Sequence, residues 1–226
     1  DPDLDNAALA QDDYYRRQDL DPHFGEKELE RNSEVITLLN QNAHGIKCII
    51  ATCSSRSVRD RCISSGMQLY WWNPLYDDVS DPNSMTRKAY NMNKVPCMGT
   101  GGNTGSSAWV FANVILQAKH IAMVGMDLSY APGTELVNTQ YYTELKDLYG
   151  DQVSDAYVNV FNPHANETWL TDPTYYWYRE TLIDMAKNAD CTTYNCTEGG
   201  IVFGPGIEYI SLKLFLETQD VRKGCN

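Results

Sequence analysis

Four glycines fall within seven positions of "GTGGNTGSSAWVFA", residues 99–112, and the stretch then turns helical. A loop of this kind brings backbone N–H groups close to an oxyanion, and the helix dipole adds about half a positive charge there. Gly101, Gly102, Asn103, Thr104, Gly105 and Ser106 are therefore candidate nucleotide-phosphate ligands. The spacing departs from two standard patterns. Gly99, Gly101 and Gly105 give G-x-G-x-x-x-G, one residue longer than the dinucleotide pattern, and no Lys follows to make a P-loop. The competing reading is a tight turn that lets a helix lie close to a sheet.

Three further residues could act in catalysis. Asp127 is expected at the end of the next strand, where a carboxylate meets the ligand edge of an α/β sheet. The turn "DLSYAPG" offers it a simpler role as a cap, and Ser129 suits either use, as a pocket residue or a turn residue. His164 lies in the polar stretch "NPHANET", and its imidazole suits general acid–base work as well as an ordinary surface position. Glu198 precedes Gly199 and Gly200 at another strand-to-loop junction, where it either takes part in the chemistry or holds the turn. Tyr175, Tyr176, Trp177 and Tyr178 are too many aromatics for one buried face, so at least one is expected to line a groove. An aromatic-rich core helix is the alternative, and "YWWNP" at 70–74 has the same ambiguity.

The elements that must position these residues follow a rhythm that starts at Gly45. "IKCIIAT", "MQLYWWNP", "KVPCMG" and "HIAMVGMD" read as short strands. Between them, "SSRSVRDRCISSG", "SMTRKAYNMN" and "NTGSSAWVFANVILQA" read as helices, the last with Ala108, Trp109, Ala112 and Leu116 on one face. Strands alternating with helices at this spacing predict a mostly parallel sheet in a three-layer α/β/α sandwich. Upstream, "EKELERNSEVITLLNQNA" is a helix with Leu29, Val35, Leu38 and Leu39 as its apolar stripe. Downstream, "TELVNTQYYTELKDLYG" is expected to be helical and "FNPHANETW" irregular, and residues 131–171 read as a lid. Asp172 then caps a helix with Pro173 at its first position. "CTTYNCTEGG" reads as a last strand and "GIEYISLKLFLE" as a closing helix. No repeat or linker interrupts the chain, so 1–226 reads as one domain with a loose acidic segment at 1–25.

Composition narrows the partners. With 226 residues and 42% hydrophobic content, the chain can bury one substantial core. A net charge of −12 argues against nucleic acid, and no apolar run is long enough to span a bilayer. Seven cysteines without a dense framework point to a reducing, cytoplasmic compartment, where the sequons at Asn166 and Asn195 carry no meaning. The repeated spacing of Cys48 with Cys53 and of Cys191 with Cys196 reads as buried thiols, and no metal ligands are assigned. Asp1, Asp3 and Asp5 alternate in a way that could hold a divalent ion, although a solvated terminus is the favoured reading. The chain opens on Asp1 rather than Met, which reads as a piece of a longer protein.

"GGNTGSSAWVFANVILQAKHIAMVGMDLSY", "TDPTYYWYR" and "TYNCTEGGI" together resemble the 6-hydroxymethylpterin diphosphokinase-like family. That family also contains motility accessory factors of flagellated bacteria, and its fold is related to that of bacterial sialyltransferases. The resemblance covers residues 45–217 and implies a Rossmann-like fold with a nucleotide-activated substrate. It also implies that Gly102 to Ser106 meet nucleotide phosphates while Asp127 and Ser129 line the same pocket. The family's upstream Gly-Pro-Ser type loop has no counterpart in residues 1–25. The expected activity is transfer of a sialic-acid-type sugar from a CMP-activated donor. Two alternatives are an ATP-dependent diphosphokinase acting on a pterin-like alcohol, with magnesium as its ion, and a non-catalytic scaffold. A nicotinamide-dependent oxidoreductase is weaker, because the glycines are mis-spaced for it. A homo-oligomer is compatible with all of these.

Overall fold

A computed structural model of the chain describes residues 25–223, with side chains described from 34 to 218. Asp1, Asp3 and Asp5 lie outside the described residues, as does the side chain of Leu29. The chain divides into two compact units between Gly99 and Thr100, and each carries its own three-stranded parallel sheet.

In the first unit, α1 (Gly25–Asn42) forms where its apolar spacing predicts, although Val35 and Leu38 are exposed. β1 (Lys47–Ala51) is followed by α2 (Arg56–Ser64), whose first turn is capped by the Ser55 hydroxyl accepting from the Val58 N–H. Gly66, at φ +82°, turns the chain into β2 (Gln68–Pro74). β1 and β2 pair in parallel from Lys47↔Gln68 to Ala51↔Trp72. α3 (Met85–Asn93) leads to β3 (Cys97–Met98), which pairs with the end of β2. "KVPCMG" thus supplies only two strand residues, since Pro96 has no N–H to offer a ladder. The carboxylate of Asp77 accepts from the Ser84 hydroxyl and the Met85 N–H, both at 2.6 Å, at the start of α3. Those bonds hold its carboxyl well below the usual range. The Cys48 thiol lies 3.9 Å from that of Cys62.

In the second unit, α4 (Thr104–Val110) runs into a π-turn at Phe111–Ile115, where the Leu116 N–H reaches back to the Phe111 carbonyl. Trp109 and Val110 are buried, whereas Ala108 and Leu116 are exposed. The expected face thus fails already at Ala108, ahead of the π-turn, and the wider turn rotates Leu116 further out of line. β4 (His120–Met123) stops short of Val124, which is 60% exposed. α5 (Tyr142–Tyr149) is flanked by 3-10 turns at Leu136–Asn138 and Gly150–Ala156.

The stretch expected to be irregular is a hairpin. β5 (Val158–Asn162) pairs antiparallel with β6 (Glu167–Thr171), and Asn166 takes the left-handed turn position at φ +52°. α6 (Pro173–Lys187) starts as predicted, with Asp172 accepting from the Thr174 and Tyr175 N–H groups and Leu182 fully buried. Burial of such a leucine contributes about 1.5–3 kcal/mol. β7 (Thr192–Asn195) pairs in parallel with β4, and β8 (Ile207–Tyr209) with β7. Residues 207–209, expected within the closing helix, form a strand instead. Exposed Glu208 alternates there with half-buried Ile207 and Tyr209, and α7 (Leu212–Lys223) begins only after Ser211. The Trp109 indole donates to Thr193 Oγ1 at 2.9 Å and fixes α4 on β7. The result is an α/β fold with parallel sheets. No helix among the described residues is long and apolar enough to cross a membrane.

Candidate functional site

The parallel register of the second unit sets Met123, Asn195 and Tyr209 side by side at the carboxyl ends of β4, β7 and β8. This is the edge at which α/β sheets collect ligands. The loops that follow β4 and β7 meet there, joined by the glycine loop and the hairpin turn.

Asp127 stands in the loop after β4, beyond Gly125, rather than on the strand itself. Its carbonyl accepts from the Ile201 N–H at 2.9 Å and from the Ser129 hydroxyl at 3.3 Å, so Ser129 serves the turn. Met126 N–H donates to Thr197 Oγ1 at 3.1 Å, and the Leu128 carbonyl accepts from the Thr171 hydroxyl at 3.0 Å. Leu128 is left-handed at φ +50°, a conformation that costs a bulky residue about 1–2 kcal/mol. Glu198, on the facing loop, is also left-handed, at φ +64°. Two such residues beside one carboxylate mark a segment held in place by its surroundings.

The facing loop explains its glycines. A Cβ on Gly200 would stand 2.5 Å from the Asp127 carbonyl oxygen, and one on Gly199 would stand 2.8 Å from the Trp169 ring and 3.6 Å from Asp127 Oδ1. Only glycine allows this approach. Buried Asn195 closes the loop by donating to the Val202 carbonyl at 2.6 Å and accepting from the Thr197 N–H at 2.8 Å. Arg179 on α6 holds its far end by donating to the carbonyls of Ile201 at 2.6 Å and Phe203 at 2.9 Å. Glu198 turns its carboxylate to the start of α7, accepting from the Leu212 N–H at 3.3 Å.

His164 reaches this edge through Asn162. The Asn162 amide donates to the Gly200 carbonyl at 2.7 Å and its oxygen accepts from the His164 N–H at 2.8 Å. The imidazole lies flat on Tyr209, with ring centres 4.7 Å apart and planes at 10°, and its other contact is edge-on to Phe203. His164 is thus joined to the Asp127–Gly200 junction by stacking and by Asn162.

The glycine loop is occupied partly by its own packing. A Cβ on Gly101 would stand 2.6 Å from Met185 Cε, and one on Gly102 the same distance from the Tyr178 ring. Asn103 caps α4 by accepting from the Ser106 N–H at 2.9 Å, while Ser106 Oγ accepts from the Asn103 N–H at 3.2 Å. The Gly102 N–H donates to Thr100 Oγ1 at 3.3 Å. Thr104 and Gly105 occupy the first two helical positions, whose N–H groups have no acceptor within the helix. Gly105 also borders Met126, its absent Cβ leaving 2.6 Å to Met126 Cε. The loop therefore adjoins the Asp127 segment at Gly105.

Burial alone raises the Asp127 carboxyl above its ordinary range. Burial also raises the Tyr209 phenol, against the bond from Asn162 and with help from the Glu198 and Asp127 carboxylates. A half-buried carboxylate raised by desolvation is a stronger proton acceptor than an exposed one. Sequence reasoning does not single out Asn162, Trp169, Arg179 or Tyr209. The hairpin is the signal that could have found the first two, since "VNVFN" and "ETWLT" flank the four-residue turn "PHAN".

Comparison with protein-family models gives no match. Comparison with curated proteins likewise gives none, and no solved structure matches the chain.

Proposed function

We propose that the protein is a nucleotide-dependent transferase that moves a sialic-acid-type sugar from a CMP-activated donor to an acceptor hydroxyl. The observation that carries this reading is Asp127, a half-buried carboxylate raised by desolvation at the carboxyl edge of parallel strands. In this reading Asp127 takes the proton of the acceptor hydroxyl as that oxygen attacks the anomeric carbon of the sugar. The bond from that carbon to the phosphate oxygen breaks, and CMP leaves with the electron pair. The open amides of Thr104 and Gly105 would receive phosphate oxygens, with helix α4 behind them. Glu198 and His164 would support the pocket walls through Leu212 and Tyr209. The parallel α/β elements fit a Rossmann-like, three-layer α/β/α sandwich.

Two readings compete. An ATP-dependent diphosphokinase would use the same open amides. A non-catalytic scaffold is favoured by the internal use of the Gly102, Asn103 and Ser106 amides. Thermal unfolding of the whole chain with CMP, CDP, ATP with magnesium, and NAD separates them. A ligand at 100 times its Kd adds about 2.7 kcal/mol, which raises Tm by roughly 5–10 °C at this size. A shift with cytidine nucleotides supports sugar transfer, and one with ATP alone moves the assignment to the diphosphokinase. No shift with any of the four would leave the scaffold.

A further inference from the structure

Four aromatic residues stand in a row near the start of α6, and the fold gives partners to three of them. Tyr175 bonds to Gln140, and its ring meets those of Tyr130 and Tyr141 at 5.3 and 5.8 Å. Tyr176 lies under the Arg179 guanidinium, 5.8 Å from ring centre to Cζ. Tyr178 is half-buried and touches both the Tyr175 ring and the glycine loop. Trp177 is 57% exposed. It shares its helix face with Glu180 and Asp184, two exposed acids three and seven residues on. A polar face is an unusual place for a tryptophan, the largest apolar surface a helix can carry.

A single exposed apolar side chain is ordinary on a protein surface. Trp177 differs in what it touches. A Cβ on Gly102 would stand 2.7 Å from Trp177 Cζ3, so the loop backbone lies against the six-membered edge of the indole. Gly102, Thr104 and Gly105 are themselves exposed. Three residues after Gly102, Gly105 borders Met126, the neighbour of Asp127. One short loop thus touches an open indole and the segment that carries the raised carboxylate.

We infer that Trp177 is the platform on which the base of the nucleotide stacks, held at one edge by Gly102 and otherwise open to solvent. The inference rests on the transferase reading for the ligand's being a nucleotide, and on the contact with the glycine loop for its place. An indole attracts a heteroaromatic ring through dispersion and the match of their quadrupoles, and every base offers a π-face. The contact needs no cation, which suits a chain of net charge −12. Contact with the loop backbone restricts the ring before the ligand arrives, so less rotamer freedom is lost on binding. Trp177 takes the base, and the Asp127 segment, reached along the loop through Gly105 and Met126, takes the group to be transferred.

Trp177→Ala and Trp177→Phe test this in the whole chain, with CMP, AMP, ribose 5-phosphate and free N-acetylneuraminic acid as probes. Affinities are read by calorimetry, and CMP is also followed by tryptophan fluorescence. Trp177→Ala should bind CMP about 5- to 150-fold more weakly than the wild type, with Trp177→Phe in between. Ribose 5-phosphate, which has no base, should keep its affinity. CMP should quench the wild type, and the quench should be absent from Trp177→Phe, which lacks that indole alone. Because the side chain stands mostly in water, Trp177→Phe should keep its Tm within about 2 °C. A larger fall would make Trp177 a packing residue of the glycine loop and overturn the inference. CMP affinity equal in the wild type and Trp177→Ala would overturn it while the transferase reading stands. A loss confined to N-acetylneuraminic acid, or equal for CMP and ribose 5-phosphate, would overturn it too, since the indole would then not read the base. If AMP alone binds and needs Trp177, the platform stands and the CMP-donor reading falls. A wild type that takes none of the probes removes both.

Discussion

Gly200→Ala tests how closely the two central loops approach each other. Gly200 sits at φ +70°, and a Cβ there would stand 2.5 Å from the Asp127 carbonyl oxygen and 2.9 Å from its carbon. The left-handed conformation costs alanine about 1–2 kcal/mol. The overlap is with backbone, so no rotamer change relieves it. The loops must separate, which weakens the Ile201 N–H bond to Asp127 at 2.9 Å and the Asn162 bond to the Gly200 carbonyl at 2.7 Å. At about 1 kcal/mol for each bond, the total loss is roughly 3–4 kcal/mol, a large part of the roughly 5–15 kcal/mol that stabilises a typical domain. Gly133→Ala is the control, because φ there is +86° but nothing lies within 4 Å of the added carbon. It should lose only the conformational cost of about 1–2 kcal/mol. Urea unfolding followed by tryptophan fluorescence reads both, since the Trp169 ring lies against Gly199. If the two variants lay within about 0.5 kcal/mol of each other, the close approach would carry no energy and the reasoning would fail.

Two other outcomes concern the same loops. Burial raises the Asp127 carboxyl, so the folded state holds that proton more tightly than the unfolded chain does. The stability it brings is complete below the ordinary carboxylate value of about 3.9 and is lost as pH rises through the raised folded value. Asp127→Asn should therefore be more stable than the wild type at pH 7, with an advantage that vanishes near pH 4; Tm across that range checks it. Glu198→Gly should be more stable than Glu198→Ala by on the order of 1 kcal/mol, because both lose the bond to the Leu212 N–H but only glycine relieves φ +64°. Equal stabilities in urea would remove the claim of strain.

The local code is legible wherever one short signal decides an element. Pro173 after Asp172, Pro74 at the end of β2 and Gly66 after α2 act through backbone geometry, and an element starts or ends at each of them. Asp127, Glu198 and His164 stand out because their residue types and loop positions suggest chemistry. Their surroundings are not legible. Asn162 reaches Gly200, and Trp169 reaches Gly199, across a hairpin whose alternation is hidden by its polar residues. Tyr209 is hidden because three residues of strand precede the closing helix, and so short a run has no clear period. The role of Gly101 and Gly102 in packing against α6 depends on Tyr178 and Met185, which are remote in sequence. Non-local contacts of this kind leave no mark within a local window.

The row of Met123, Asn195 and Tyr209 also has a consequence in time. β4 finds its neighbour only when β7 has been made, across the whole of α5, the hairpin and α6. Closing so long a loop must be completed before the pairing repays it, which makes this sheet slow to assemble. On the ribosome, the glycine loop and Asp127 emerge well before the glycines and the phenol that enclose them. The junction of Asp127 with Gly200 and Ile201 is therefore among the last parts of this unit to form.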